Sequence, residues 1–178
     1  MRTTNGWATR PGRTMRLGSA TRFGWATRLS TCALAVVELG GCGDDPVAVE
    51  FQVIEEVEFA ASLGIDLAMF TELPSGVYVK DVVVGTGDAA EVGDQVVVGY
   101  TGYVTDGSMF DAGSFPFELG STGPGSAIVG FDEGVRGMQV GGERRVIIPP
   151  ELGYGAQGLI GIPPGSILIF DLTLDQVN

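Results

Sequence analysis

The chain has 178 residues, enough for one domain and an appendage, and 44% hydrophobic content with 29 Gly and 9 Pro suits a turn-rich globular fold better than disorder. Its formal charge of -12 is unevenly divided: six Arg and one acid up to Cys42 give +5, and four basic against 21 acidic residues after it give -17. A body that acidic repels phosphate backbones and disfavours a nucleic-acid partner. With His 0 and both cysteines in the first 42 residues, the remainder has no imidazole base, no thiolate and no His or Cys metal ligand.

Residues 1–42 read as a targeting segment. An Arg-rich stretch leads into Leu29-Ser-Thr-Cys-Ala-Leu-Ala-Val-Val37, and Leu39-Gly-Gly-Cys42 follows. A short apolar run, a small-residue pair and a Cys resemble a bacterial lipoprotein signal. That resemblance implies a lipid anchor at Cys42 and a place in the cell envelope, membrane-anchored or periplasmic. The run is well short of the ~20 residues a membrane span requires. Glu38 interrupts it, and Gly6-Trp-Ala-Thr-Arg10 recurs as Gly24-Trp-Ala-Thr-Arg28, which makes Met15 an alternative start. A basic tail with two incidental thiols on a cytoplasmic protein is the competing reading.

Residues 43–75 read as a linker and an N-terminal arm. Gly43-Asp-Asp-Pro46 is a turn-prone spacer. Between 53 and 69, Ile54, Val57, Phe59, Ala60, Leu63 and Leu67 recur at spacings of three and four, which predicts a short amphipathic helix or an ordered docking arm. Gly64 and the β-branched residues oppose the helix.

From 76 to 178 the rhythm changes to short alternating runs between turn signals, the pattern of antiparallel β structure. Strands are expected at 76–84, 95–104, 115–119, 142–148 and 166–174, with turns at 85–87 and 91–94. Asp106-Gly107 predicts a two-residue hairpin. Phe131, Val135 and Met138 share one helical face, so a short helix is expected over 131–138, stopped by Gly141-Gly142. The fold class is α+β: a roll in which an antiparallel sheet of five to six strands wraps around one short helix.

Candidate chemistry is narrow. Asp132-Glu133 or the Asp106/Asp111 pair has the residue types of a glycosidase, but Asp132-Glu133 reads better as helix N-terminal charge. No phosphate-binding loop follows a strand, since Gly153-Tyr-Gly155 is too short and lacks a Lys. No metal and no cofactor are expected. The stretch 77–177 instead gathers aromatic and aliphatic residues around one acid beside a Phe. Such a set can form a dry pocket, and rotation about an X–Pro amide is a reaction that needs no nucleophile, metal or cofactor.

Val98-Gly-Tyr-Thr-Gly102, Asp106-Gly107, Met109-Phe-Asp111, Phe115-Pro-Phe-Glu-Leu-Gly120, Gly130-Phe-Asp-Glu-Gly134, Gly137-Met138, Leu152-Gly-Tyr-Gly155, Ile162-Pro-Pro164 and Phe170-Asp171 occur in one order. Together they resemble the FKBP-type peptidyl-prolyl cis-trans isomerases over 76–177, and the arm at 56–73 is similar to the one preceding this domain in bacterial secreted members. The resemblance implies catalytic-pocket roles for Tyr100, Phe110, Asp111, Phe131, Tyr154 and Phe170, and substrate contacts from Phe115, Ala127, Ile128, Ile160 and Ile162. Phe131 would be the floor, where an indole is commoner. Tyr154 would donate its hydroxyl to a ligand carbonyl, the Ile128 N–H would make a second contact, and Tyr100 and Asp111 would be hydrogen-bonded at the rim. Implied partners are proline-containing polypeptides, with macrolide proline mimetics as inhibitors and a monomer as the working state.

The sequence also departs from that family. Gly99 stands where a His often precedes Tyr-Thr-Gly, Ala112-Gly113-Ser114 replaces a longer rim loop and its basic residue, and Leu159 replaces a polar residue. The loop from Tyr154 to Pro163 is one residue short, leaving open whether Ile160 or Gly161 fills a pocket position. A non-catalytic proline-peptide-binding chaperone or scaffold module is therefore a second reading, and an acidic surface lipoprotein with a decayed pocket a third.

Overall fold

A computed structural model describes residues 48–123 and 125–178. The targeting segment expected at 1–42, with Cys42, and the start of the linker lie outside the described residues. Six strands form one antiparallel sheet: β1 (Thr71–Glu72), β2 (Tyr78–Val83), β3 (Gln95–Val104), β4 (Met109–Glu118), β5 (Glu143–Ile148) and β6 (Leu168–Val177). Their spatial order is β1-β2-β5-β6-β3-β4. One helix, α1 (Val129–Val135), joins β4 to β5.

Period-two alternation decides what each face buries. Val146, Ile148, Leu168, Phe170, Leu172 and Leu174 fall on the face that receives Phe131 and Val135 of α1. Ile147 and Ile169 fall on the opposite face, beneath the arm. The helix lies unusually close to β5 because Gly130 and Gly134, four residues apart, face the sheet. A Cβ at Gly130 would overlap Ile148 Cγ2, and one at Gly134 would stand 2.8 Å from Val146 Cγ1. The helix starts two residues earlier than its spacing predicted and stops at Val135, with Gly137 at φ +72 turning the chain away. Met138 is buried from that turn rather than from the helix.

The arm is ordered but not α-helical. Gly64 at φ +58 ends a single 3-10 turn (Ala61–Leu63), and Asp66 caps another (Leu67–Met69) by accepting the Ala68 N–H at 3.1 Å. Docking substitutes for helical hydrogen bonding. Ile54 and Leu63 pack on Ile147, Ile167 and Ile169. Gln52 accepts the Ile167 N–H at 2.9 Å and donates to Thr105 Oγ1 at 3.3 Å, and the Ala60 N–H donates to the Thr105 carbonyl at 2.8 Å. Arg145 holds Asp171 bidentately (2.5 and 2.8 Å) and donates to the Leu63 carbonyl at 2.5 Å, tying sheet to arm. The fork geometry of guanidinium on carboxylate strengthens this pair, and the bond to Asp171 pushes the Arg145 pKa up.

Two turns differ from expectation. The Asp106-Gly107 hairpin is a three-residue loop: the Val104 N–H donates to the Ser108 carbonyl, the Gly107 N–H donates back to Val104, and Gly107 sits at φ +86. Three-residue loops of this kind place a residue of left-handed conformation before the second strand. More consequential is β4, expected as a strand only over 115–119. It runs unbroken from Met109 to Glu118, paired with β3 from Glu118↔Gln95 to Asp111↔Gly102 without a shift. Asp111-Ala-Gly-Ser114 has turn composition, but no residue is left over to loop out, so pairing prevails over local preference.

Candidate functional site

At one end of the sheet, β3, β4, β6 and the start of α1 converge on a hollow of about 270 Å³. Phe131 and Phe170, only 5% and 4% exposed, form its floor. Their rings meet edge to face, centroids 5.3 Å apart at 89°. Tyr100 stands edge-on to Phe131 at 5.9 Å and 88°, and Phe110 edge-on to Phe170 at 5.5 Å and 89°. Such arrangements set the positive edge of one ring against the negative face of the next, so the rings hold one another's orientation. Phe117 backs Phe131 at 5.8 Å and stacks with Phe115 at 5.4 Å and 16°.

Gly102 makes the box possible. On β3 it lies under one wall and part of the floor: a Cβ there would overlap the tip of the Phe110 ring and stand 2.7 Å from Phe110 Cε2 and 2.9 Å from Phe170 Cε1. The sequence signals this glycine only as part of a motif. Its physical role emerges from the packing.

The polar groups sit at the rim. The Tyr100 hydroxyl donates to Asp111 Oδ2 at 2.7 Å, and the other carboxylate oxygen accepts the Ala112 N–H at 2.9 Å. The two groups occupy neighbouring strands, Tyr100 opposite Gly113 and Asp111 opposite Gly102, so β pairing brings them together. The bond to Asp111 first, and burial second, push the Tyr100 pKa up to about 12. Burial, then the Asp111 charge, also raises that of Tyr154. Both phenols therefore remain protonated donors at neutral pH. Among the described residues the Tyr154 hydroxyl has no protein acceptor, and the Ile128 N–H, at the N-cap of α1, has none either. Helix starts leave such donors unsatisfied as a rule. The one carboxylate of the hollow, Asp111, has both oxygens engaged by Tyr100 and the Ala112 N–H, so the arrangement can desolvate an apolar group and donate hydrogen bonds to a carbonyl.

Of the residues singled out from sequence, Tyr100, Phe110, Asp111, Phe115, Ala127, Ile128, Phe131, Tyr154 and Phe170 line the hollow. Two do not. Ile160 is 98% exposed at the tip of a two-residue turn, because reciprocal bonds between Leu159 and Ile162 (2.9 and 2.8 Å) fix its neighbours and Gly161 at φ +84 turns the chain. Ile162 is buried in the core cluster behind the hollow, where it supports rather than lines it. Ser126 lines the hollow unanticipated, since Gly125-Ser126 reads only as loop. Asp132 proves to be more than a helix-dipole charge. Buried to 6% exposure, it accepts the Gly120 N–H at 2.5 Å and pairs with Arg136 at 2.6 Å, fixing the end of β4 to α1.

The model of the family described as FKBP-type peptidyl-prolyl cis-trans isomerase matches residues 87–175. FK506-binding protein 3 of Yarrowia lipolytica is 50% identical over 109 residues, 60% of this chain and 26% of that protein. FK506-binding protein 4 of Neurospora crassa is 48% identical over 107 residues, 58% of this chain and 22% of that one. The chain thus spans about a quarter of the length of these curated relatives, which are fungal. Among solved structures, FkpA from Escherichia coli is similar at TM-score 0.56 and 33% identity, over 66% of this chain and 55% of that one. AtFKBP13 is similar at 0.55 and 34%, over 61% of this chain and 98% of that one.

Proposed function

The chain belongs to the FKBP-type peptidyl-prolyl cis-trans isomerases, and from that premise we propose that its hollow accelerates rotation about X–Pro bonds in polypeptides with no covalent step. The observation that carries the reading is the ring box: six aromatic side chains and an Ile around a space of about 270 Å³, with two donors spare at its rim among the described residues. Planar amide resonance sets a barrier of ~18–20 kcal/mol. Twisting the bond removes that resonance, leaving a less polar carbonyl and a pyramidal nitrogen. A dry apolar hollow stabilises this state more than the planar, water-solvated one, and only such a difference speeds the reaction. Tyr154 and the Ile128 N–H orient the peptide carbonyls. Tyr100, held by Asp111, keeps the rim closed.

Its substrates are X–Pro bonds in extended, accessible segments with an apolar residue before the proline. The curated relatives are named for binding FK506, and a macrolide proline mimetic is proposed as a competitive ligand here. Its working state is proposed to be a monomer. Anchoring through Cys42 in a cell envelope is also proposed, on the strength of the Arg-rich start, the apolar run and Gly40-Gly41-Cys42. Mass spectrometry of the mature N-terminus tests it: a lipidated Cys42 supports the anchor and an intact Met1 or Met15 removes it.

A protease-coupled assay on an Ala-Leu-Pro-Phe peptide tests the isomerase reading. Catalysed decay of the cis form supports it, and a rate equal to the uncatalysed one rejects it. One observation favours a binding-only module: among the described residues no basic side chain stands on Asp111, which is held there by Tyr100 and the Ala112 N–H. Saturable macrolide binding without turnover would decide for that module.

A further inference from the structure

The outer edge of β4 borders the hollow and, among the described residues, pairs with nothing. β4 ends the sheet on that side, and its register with β3 settles which backbone groups face outward. The Leu119 N–H donates to the Asp94 carbonyl at 2.9 Å, and pairing continues in the same register from Glu118↔Gln95 to Asp111↔Gly102. In an antiparallel ladder directed groups alternate. Asp111, Gly113, Phe115 and Phe117 therefore exchange bonds with β3, while Ala112, Ser114 and Pro116 turn theirs outward.

These three differ in what they offer. Pro116 has no N–H, and the Ala112 N–H is taken by the Asp111 carboxylate at 2.9 Å. Ser114 keeps both groups: it is exposed, and among the described residues neither its N–H nor its carbonyl has a partner. Ala112, Gly113 and Ser114 are small and uncharged, so a second backbone can approach. Asp111 and Phe115, which bracket Ser114, both line the hollow. At about 3.3 Å per residue, an extended chain leaving the hollow draws level with Ser114 within about three residues.

We infer that a polypeptide with its proline in the hollow pairs, a few residues along, with the edge of β4 at Ser114, donating to the Ser114 carbonyl and accepting from its N–H as an added strand. This rests on the isomerase reading above. Main-chain pairing reads no side chain, so the edge lengthens the grip on unfolded polypeptide without narrowing sequence preference. The occupant is the substrate rather than a second copy of the chain. Pro116 and the occupied Ala112 N–H blunt the edge against full strand-to-strand association, and continuity with the hollow supplies what one bonded pair lacks.

Ser114→Pro removes only a solvent-facing N–H and leaves the β3 ladder whole, while Ser114→Ala keeps the N–H and loses the hydroxyl. KM and kcat are measured for a tetrapeptide and for a peptide carrying five further residues on each side of the same X–Pro bond. The expected result is a rise of about 3- to 10-fold in KM for the long peptide with Ser114→Pro, with kcat and the tetrapeptide unchanged and Ser114→Ala like the parent. An unchanged KM for the long peptide overturns the inference, as does an equal rise for both peptides. Should Ser114→Pro melt early, single N-methylations scanned along the long peptide replace it. A KM increase confined to one or two positions supports the pairing, and a flat scan overturns it. Absence of tetrapeptide turnover by the parent protein removes the isomerase premise itself, and the edge proposal falls with it.

Discussion

Gly102→Ala puts the packing argument at greatest risk. The added Cβ would stand 2.7 Å from Phe110 Cε2 and 2.9 Å from Phe170 Cε1, where carbon atoms settle at ~3.5–4.0 Å. Both rings must therefore retreat by about 1 Å. Neither can do so alone, since Phe170 is edge-on to Phe110, Phe131 and Tyr100 at 5.5, 5.3 and 6.2 Å. Overpacking of this kind costs ~1–3 kcal/mol in stability, a loss of several degrees in Tm for a domain of this size. The kinetic effect should be larger, because the walls that move are those surrounding the twisted bond: kcat/KM is expected to fall by ~10–100-fold. Tetrapeptide isomerisation and thermal melting, measured together, check both. A lowered Tm with unchanged kcat/KM would refute the claim that these rings shape the catalytic surface. No change in either would refute the packing argument altogether.

Tyr154→Phe should lower kcat/KM by ~2–10-fold with Tm nearly unchanged, if its hydroxyl, which has no protein acceptor among the described residues, gives the proposed hydrogen bond to substrate. A large loss of Tm would instead make that hydroxyl structural. Turnover should be level between about pH 6 and about pH 9, since the chain has no His and both rim phenols titrate above their ordinary value. The raised pKa of Tyr100 means that its bond to Asp111 contributes stability fully below pH ~10 and loses it as pH rises through about 12. Phenolate absorbance should show this late ionisation, and Asp111→Asn should bring it to lower pH. Asp132→Ala leaves the Gly120 N–H and Arg136 without their acceptor and should cost ~1.5–3 kcal/mol by denaturant unfolding, with Asp132→Asn costing less.

The strands with strict alternation were legible because each buries one face. Residues 95–104 form β3 at the expected bounds, whereas Val146–Ile148 of β5 and Leu168–Phe170 of β6 are buried on both faces, so alternation does not mark their core positions. Residues 111–114 were not legible as strand. Their composition speaks for a turn, and only the matching register of β3 overrides it. For the arm, spacings of three and four left a helix and a docked arm open, and its side chains dock on Ile147 and Ile169 without α-helical winding. Nine site residues could be placed from motifs and aromatic content, and the structure gathers them. Ile160 and Ile162 do not line the hollow: the turn closed by Leu159 and Ile162 projects Ile160 into solvent and leaves Ile162 in the core, which no composition reveals. The service of Gly102 to two rings is likewise a matter of contact, invisible until β3, β4 and β6 are assembled.

The account stands on the hollow holding the half-rotated bond better than the planar one. The most direct measurement is NMR exchange spectroscopy of an X–Pro peptide at saturating protein, which gives the cis–trans rate of the bound peptide itself. The account predicts interconversion on the protein orders of magnitude faster than the tens of seconds it takes in free solution. Saturable binding with a bound-state rate equal to the free one would contradict it.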